Sequence, residues 1–116
     1  MKTIIAGSRS ITSYELVPQV TRYSGYRITE VVSGGASGVD SLGEIFAKNN
    51  GIDLVIFPAN WSKYFKGAGY IRNQKMANYA DCLIAIWDGK SKGTKHMIDI
   101  MEALGKPVYI YRTDRL

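Results

Sequence analysis

The chain has 116 residues, of which 46% are hydrophobic and 22% charged, and its formal net charge is +5. This length and composition suit one folded domain over residues 1–116 and exclude an intrinsically disordered chain. A single cysteine, Cys82, excludes an internal disulfide and a cysteine-based metal cluster. The amino terminus has too short an apolar run for a signal peptide, and no run reaches the roughly 20 residues of a membrane span. We therefore expect a cytoplasmic protein without membrane contact, in the host cell if a virus encodes it.

The basic net charge is compatible with two kinds of partner. A basic domain can bind nucleic acid through a charged patch, or it can attract a small anionic ligand. The lysines and arginines are scattered along the chain and form no basic run. The pattern therefore favours solvated surface charge and a small anion, with nucleic acid as the alternative.

Apolar runs alternate with helical patterns along the whole chain. The predicted strands lie at 3–6, 28–32, 54–57, 82–87 and 107–111. Between them, in chain order, we predict a helix from 12 or 13 to about 23, a helix ending at 50–51, a helix at 70–80 and a helix from 94 to 104. The stretch at 59–69 is aromatic and basic without a clear period, and 88–93 is a polar loop.

The ends and faces of the helices follow from single residues. Thr12 or Ser13 can cap the first helix, and Thr94 can cap the last. Pro18 predicts that the first helix is kinked or starts late. Helical spacing predicts inward-facing side chains at Leu42, Ile45, Phe46, Ala47, Ile71, Met76, Ala77, Met97, Ile98, Met101 and Leu104.

This alternation predicts an α/β fold with a parallel five-stranded sheet and helices on both faces. The near-continuous apolar strands support a sheet that is covered on both sides. We expect a single Rossmann-like three-layer domain with a strand order such as 3-2-1-4-5. That order places the ends of strands one and four beside the topological switch point, where open α/β sheets bind their ligands.

Three loops follow strands one, two and four, and each combines glycine with small hydroxyl residues. Backbone N–H groups at a helix start favour an anion, and glycines let a phosphate approach closely. Each loop taken alone also fits an ordinary strand-to-helix turn, but three neighbouring loops favour a shared pocket. The predicted ligand-binding residues in these loops are Gly7, Ser8, Arg9, Ser10, Gly34, Gly35, Ala36, Ser37, Gly38, Asp40, Trp87, Asp88, Gly89, Ser91, Lys92, Gly93 and Thr94.

None of these loops matches a standard nucleotide motif. The second loop lacks the G-x-G-x-x-G spacing of dinucleotide-binding folds, and the third lacks the complete P-loop pattern. Arg9 offers a planar cationic fork suited to phosphate. Asp40 is predicted to accept hydrogen bonds from ribose hydroxyls, or simply to complement the helix dipole.

The stretch after strand three adds aromatic and basic side chains. Trp61 and Tyr64 are candidates for stacking on a base, and Arg72 or Lys66 for neutralising phosphate. Asn73, which follows Arg72, is a candidate for contacting ribose. The alternative is that the aromatic side chains cover a sheet edge or form a subunit contact.

Catalytic residues are harder to find in this sequence. No Ser/His/Asp or metal-ligand spacing surrounds His96, which fits a surface helix residue. Asp40 and Asp99 are the weak acid–base candidates. We expect neither a metal nor a required cofactor.

Taken together, the loops resemble the SLOG superfamily, in particular its YspA/cpYpsA-related branch. The resemblance covers nearly the whole chain, and it is carried by segments 5–9, 33–40, 72–73, 87–89 and 91–94. It implies a Rossmann-like protein that binds nucleotides or nucleotide-derived ligands such as NAD or ADP-ribose derivatives. The relatives implied include lonely-guy phosphoribohydrolases and the DNA-processing protein A group, which binds single-stranded DNA.

The match to the hydrolases fails at one place. Those enzymes carry P-G-G-x-G-T followed closely by a catalytic glutamate, whereas Thr94 is here followed by Lys95, His96 and Met97. The missing carboxylate favours binding over hydrolysis. Our leading hypothesis is therefore a sensor or sequestering protein for a phosphorylated, nucleotide-derived molecule, for instance an immune messenger. The alternatives are an N-glycosidic or phosphoribosyl hydrolase of nucleoside monophosphates and a single-stranded nucleic-acid binder. Relatives often pair, so we also expect a homo-oligomer, a dimer or larger.

Overall fold

A parallel sheet of five strands forms the middle layer of the molecule. The computed structural model describes residues 1–115, and Leu116, the last residue of the predicted domain, lies outside the described residues. The strands are β1 (Lys2–Gly7), β2 (Glu30–Ser33), β3 (Asp53–Ile56), β4 (Cys82–Trp87) and β5 (Val108–Arg112). Their order is β3-β2-β1-β4-β5, with every pair parallel. The predicted fold class and strand order are confirmed.

Helices cover both faces of this sheet. They are α1 (Leu16–Ser24), α2 (Val39–Asn49), the short α3 (Trp61–Tyr64) with a following 3-10 turn (Phe65–Gly67), α4 (Ala68–Tyr79) and α5 (Lys92–Ala103). The buried side chains form two clusters, one between the sheet and α1 and α2, the other between the sheet and α4 and α5. The domain therefore has the three predicted layers.

The strands alternate between these two cores residue by residue. Ile4 and Leu83 belong to the core under α4 and α5, whereas Ile5 and Ile84 belong to the core under α1 and α2. All four side chains are completely buried. A strand covered on both faces has no solvated side, which explains why the central strands read as continuous apolar runs.

The first helix begins later than the cap residues suggested. It starts at Leu16, after Glu15, so the prediction of a cap at Thr12 or Ser13 is wrong. The Ser13 hydroxyl instead donates to the Glu15 carboxylate at 2.9 Å. Pro18 thereby falls in the first turn, where backbone N–H groups have no acceptor within the helix, and the late start accommodates it.

The last helix begins earlier than predicted. It starts at Lys92 after Ser91, so the prediction that Thr94 caps it is wrong. The Asp88 carboxylate accepts hydrogen bonds from the N–H groups of Lys90 and Ser91, at 2.8 and 2.9 Å, and closes a turn that leads into the helix. The Thr94 hydroxyl lies within the first turn and donates to Ser91 Oγ at 3.1 Å.

Other predicted details also need correction. Asn60 caps a helical turn inside the stretch at 59–69, where no regular element was predicted, and α4 starts two residues before Tyr70. Ile45 and Leu104 were predicted to face inward but are 44% and 46% exposed. Ile45 lies outside the stripe formed by Gly43, Phe46 and Ala47, and Leu104 lies beyond the end of α5.

Among residues 1–115, no helix is long and apolar enough to cross a membrane.

Lys106 closes the carboxyl end of α4. Its Nζ donates to the carbonyl oxygens of Ala77 at 2.7 Å, Asn78 at 3.3 Å and Ala80 at 2.8 Å. A cation at a helix carboxyl end stabilises the unpaired carbonyls and the helix dipole. We expect Lys106→Met to lower the free energy of unfolding by about 1–2 kcal/mol, near the lower end for hydrogen bonds to a charged group, because the site is partly solvated. Urea denaturation measures this. Lys90→Met, at an exposed loop position, is the control, and equal stability of the two variants would contradict the assignment.

Candidate functional site

Three loops meet at the carboxyl edge of the sheet, with backbone packed against backbone. A Cβ added at Gly7 would lie 2.0 Å from the Ile86 carbonyl oxygen. A Cβ at Gly38, whose φ is +74°, would lie 2.5 Å from both the Ser8 oxygen and Arg9 Cα. No side chain fits in either place. The loops after β1, β2 and β4 therefore come together, as predicted from their positions.

Ser8 joins the first loop to the third. Its N–H donates to the Ile86 carbonyl at 3.1 Å, and its hydroxyl oxygen accepts from the Asp88 N–H at 3.0 Å. The residue is only 1% exposed. Its N–H and hydroxyl thus hold the loops together, and its predicted contact with a ligand stays a prediction.

A groove opens above these loops. It consists of three adjoining cavities of about 380, 180 and 80 Å³, and Arg9 and Arg72 line all three. We call it the arginine groove. Its other lining residues near the loops and helices include Gly34, Gly35, Ala36, Asp40, Glu44, Trp61, Lys66, Tyr70, Asn73, Gly93 and Thr94.

Arg72 is held in a fixed position at the start of α4. Its Nη1 donates to the Gly34 carbonyl at 2.5 Å, and its Nε donates to Asn73 Oδ1 at 2.9 Å. Burial lowers the pKa of Arg72, and the nearby Arg9 lowers it further, whereas Asp40 opposes both. The guanidinium is therefore a partly desolvated cation that the protein orients in advance.

Asn73 connects α4 to α5. Its Nδ2 lies 3.3 Å from the Gly93 carbonyl and 3.1 Å from His96 Nδ1. An amide nitrogen only donates, so His96 Nδ1 accepts and the ring carries its proton on Nε2. Burial lowers the pKa of His96, which agrees with a neutral ring. The Asn73 amide orients Arg72, and its predicted contact with ribose stays a prediction.

Positive charge in the groove is not neutralised by ion pairing. Within residues 1–115, the two ion pairs are Lys95 with Asp99 and Arg112 with Asp114, and neither involves Arg9 or Arg72. Arg9 is exposed and faces the groove as a free guanidinium fork. Two such cations in one concave space form a suitable site for a phosphorylated anion.

Asp40, which carries a carboxyl group, lines the smallest cavity. It is 6% exposed, and its Oδ2 accepts from the Ala36 N–H at 3.3 Å. Burial raises the pKa of Asp40 to about 6, although the Ala36 hydrogen bond and the Arg72 charge lower it. A carboxyl group with this pKa in a cleft is a candidate functional group.

Gly34 leaves the space that Arg72 and Asp40 occupy. A Cβ there would lie 2.6 Å from Arg72 Nη1 and 2.9 Å from Asp40 Oδ2. Both side chains are anchored by hydrogen bonds, so they have little freedom to move aside. The requirement for glycine at this position is therefore steric.

Several predicted site residues lie outside the arginine groove. The Trp87 indole donates to the Ser91 carbonyl and lies against the Arg112 guanidinium, 4.7 Å from the ring centre. A Cβ on Gly89 would lie 2.4 Å from the Arg112 side chain, so this part of the third loop faces β5. The other predicted residues that do not line the groove are Gly7, Ser8, Ser10, Ser37, Gly38, Asp88, Ser91 and Lys92.

The remaining candidates divide in the same way. Trp61 lines two cavities of the groove and is 53% exposed. Tyr64 lines a further cavity of about 180 Å³, which shares Ile56, Pro58 and Arg72 with the largest cavity of the groove but does not include Arg9. Asp99 lies on the exposed side of α5, where it pairs with Lys95 at 2.9 Å.

Glu44 and His96 are among the residues near the arginine groove that the sequence did not single out. Glu44 lines the largest cavity, and His96 supports Asn73. Glu44 follows Asp40 by four residues, so both lie on one face of α2. That spacing after a glycine-rich loop was the available signal. His96 gave none, because its partner lies 23 residues earlier in the chain.

The pKa of Asp40 makes a testable contribution to stability. The folded carboxyl group, with a pKa of about 6, holds its proton more tightly than the unfolded one at 3.8. The raised pKa therefore adds to the free energy of unfolding, fully below about pH 4, and this contribution is lost as the pH rises through about 6. We expect Asp40→Asn to remove this pH-dependent loss of stability and to raise the free energy of unfolding at pH 8 by about 1–3 kcal/mol. Urea denaturation across pH tests it. Asp53→Asn, at an exposed position, is the control, and an unchanged slope in Asp40→Asn would contradict the assignment.

Comparisons with known proteins agree with this architecture. The chain is similar in structure to DNA processing protein A (DprA) from Streptococcus pneumoniae, solved by X-ray crystallography, with a TM-score of 0.77 and 17% identity. The similarity covers 94% of this chain and 49% of that one, so this chain spans about half its length. A search of curated proteins gave no match. The model of the YspA, cpYpsA-related SLOG family matches residues 1–64, more than half of the chain and including the first two loops. The chain belongs to the YspA, cpYpsA-related SLOG family.

Proposed function

We propose that the arginine groove binds a phosphorylated, nucleotide-derived small molecule, either an ADP-ribose or NAD derivative or a nucleoside phosphate. The protein would sense this molecule or sequester it. An immune signalling nucleotide is one example of such a molecule. The observation that carries the proposal is that Arg9 and Arg72 face one groove without an ion-pair partner among residues 1–115.

The groove offers more than one kind of phosphate contact. Arg72 is oriented by Gly34 and Asn73, so little conformational entropy is lost when it binds an anion. Gly93 and Thr94, in the first turn of the 12-residue helix α5, line the same groove. Backbone N–H groups at a helix start attract anions, which adds to the effect of the guanidinium groups.

The largest cavity suits the nucleoside part of such a ligand. Its volume of about 380 Å³ lies within the usual range of about 300–1,000 Å³ for small-molecule sites. Trp61 and Ile56 line it and offer apolar area, and an exposed indole ring can stack on a base. Tyr64 lines a neighbouring cavity and not this one, which supports Trp61 as the stacking residue.

Hydrolysis of an N-glycosidic bond has weaker support. Asp99 pairs with Lys95 outside the groove, so of the two predicted acid–base residues only Asp40 lines it. Binding requires no acid–base residue and depends only on Arg9 and Arg72 in the positions observed.

Calorimetry with ADP-ribose, cyclic ADP-ribose isomers, NAD and AMP tests the proposal. We expect at least one of them to bind with micromolar or tighter affinity. Arg9→Gln should weaken that affinity about tenfold to a hundredfold, because it removes a charge-assisted hydrogen bond to phosphate. Arg9 is exposed, so the melting temperature should stay unchanged.

The matched control for this experiment is Arg22→Gln, an exposed arginine on α1 that does not line the groove. It changes the net charge equally and should leave the affinity as in the wild type. Absence of micromolar binding to every compound would refute the proposal, and equal losses in both variants would show only a general charge effect.

A second candidate, single-stranded nucleic-acid binding, rests on a different observation. Residues 54–80 contain no acidic residue but four basic ones, Lys63, Lys66, Arg72 and Lys75. Phe65, in the same stretch, is 74% exposed and has a φ of +51°, which is uncommon outside glycine. Exposed aromatic rings beside cations are typical of single-strand binding surfaces. The name of the similar DNA processing protein A is compatible with this candidate.

Fluorescence anisotropy with a labelled oligothymidine tests this second candidate. We expect binding at low salt that weakens steeply as salt increases, because bound counterions are released from the strand. Replacing both Lys63 and Lys66 with Gln should weaken it about tenfold, whereas the same change at the distant Lys48 and Lys90 should not. No complex even at low salt would eliminate this function.

A further inference from the structure

The groove that we propose as a nucleotide site also contains an acidic side chain without an assigned role. Glu44 lies one helical turn after Asp40 on α2 and is half-buried. It lines the largest cavity together with Arg9, Arg72 and Trp61. A carboxylate repels phosphate, so its place in an anion-binding groove requires a separate explanation.

Glu44 is held where it is by the protein. The Ser33 hydroxyl, completely buried at the end of β2, donates to Glu44 Oε2 at 2.7 Å. The same hydroxyl oxygen accepts from the Gly35 N–H at 3.1 Å, which ties the carboxylate to the glycine-rich loop. Glu44 is therefore fixed relative to the loop.

The carboxylate does not neutralise the arginines. Neither ion pair found within residues 1–115 involves Glu44, and the structure gives its Oε1 no hydrogen bond from those residues. Glu44 thus presents a fixed acceptor with free lone pairs to a cavity that Arg9 and Arg72 also line. A carboxylate accepts hydrogen bonds and donates none, so the matching ligand group is a hydrogen-bond donor.

Within a nucleoside 5′-phosphate, the neutral donor between the phosphate and the base is the ribose diol. The largest cavity contains both arginines, which suit the phosphate, and Trp61, which suits the base. Glu44 lines that same cavity. We propose that Glu44 makes the groove selective for ribonucleotides with free 2′- and 3′-hydroxyls, and against ligands that lack the diol or carry phosphate on it. This inference rests on the proposed nucleotide-binding function.

Calorimetry on the wild-type protein tests the selectivity without any mutation. The ligands are AMP, 2′-deoxy-AMP, 3′-deoxy-AMP and adenosine 3′,5′-bisphosphate. We expect AMP to bind about tenfold more tightly than either deoxynucleotide, because each lacks a hydrogen bond to a charged acceptor. The bisphosphate should bind more weakly than AMP, since its second phosphate meets the carboxylate.

The Glu44→Gln variant separates this role from a structural one. Its amide oxygen can still accept from Ser33, so the fold should persist. We expect AMP to bind Glu44→Gln about tenfold more weakly than it binds the wild type, and the preference for AMP over deoxynucleotides to disappear. The bisphosphate should bind the variant more tightly than it binds the wild type. A structural defect would weaken all ligands together. Glu102→Gln, at an exposed position on α5, is the matched control and should change none of these affinities.

The outcomes distinguish this inference from the function on which it rests. If the wild type binds AMP and both deoxynucleotides equally, or if Glu44→Gln weakens every ligand by the same factor, the role of Glu44 is overturned and the nucleotide site remains. If the wild type binds no compound in either calorimetric series, the proposed function fails and the selectivity fails with it. If Glu44→Gln does not fold, the wild-type comparison alone decides.

Discussion

The close approach of three backbone segments at the carboxyl edge of the sheet is the constraint on which the groove depends. Gly7 lies against the Ile86 carbonyl, and Gly38 lies against Ser8 and Arg9, with no room for a side chain in either place. A side chain at these positions would force the loops apart. Because they stay together, Arg9 from the first loop and Arg72 from α4 face the same space.

The charges in that space are arranged at a cost to folding. Asp40 is buried with a raised pKa, and Arg72 is partly desolvated beside Arg9, which has the same charge. Separate hydrogen bonds hold the groups in place: Arg72 by Gly34 and Asn73, and Asp40 by Ala36. The cations and carboxylates of the groove therefore lie close together without forming ion pairs among residues 1–115. Such an arrangement is typical of a site whose charges a bound ligand balances, because functional sites commonly lower the stability of the fold.

Much of the fold could be predicted from the sequence because the physical signal was local. The apolar runs in β1 and β4 alternate with helical patterns, and right-handed crossovers leave few possible strand orders. The first two loops of the groove followed from that order, since Arg9 and Gly34 come directly after neighbouring strands. The predicted helix starts were less accurate, because the Ser13 hydroxyl donates to the Glu15 carboxylate and the Asp88 carboxylate closes a turn that starts the last helix before Thr94.

The remaining details depended on contacts between distant parts of the chain. The third loop carries glycine and lysine, as a phosphate loop would, yet Gly89 faces the Arg112 side chain on β5. Asn73 is also a plausible ribose ligand by residue type, but its amide orients Arg72 and contacts His96. No local pattern reports such pairings.

The position of Glu44 also bears on how the two candidate functions would relate. In a nucleic-acid strand, each internal nucleotide carries a phosphodiester on its 3′-oxygen, so the strand offers an anion where a free nucleotide offers a hydroxyl. A carboxylate fixed in the largest cavity disfavours that anion for the reason that it favours the diol. A strand would therefore have to avoid the largest cavity and use the surface around Lys63 and Phe65, where residues 54–80 contain no acid. The two candidate functions would then use adjoining surfaces of one domain, because Lys66 of the basic stretch also lines a smaller cavity of the groove.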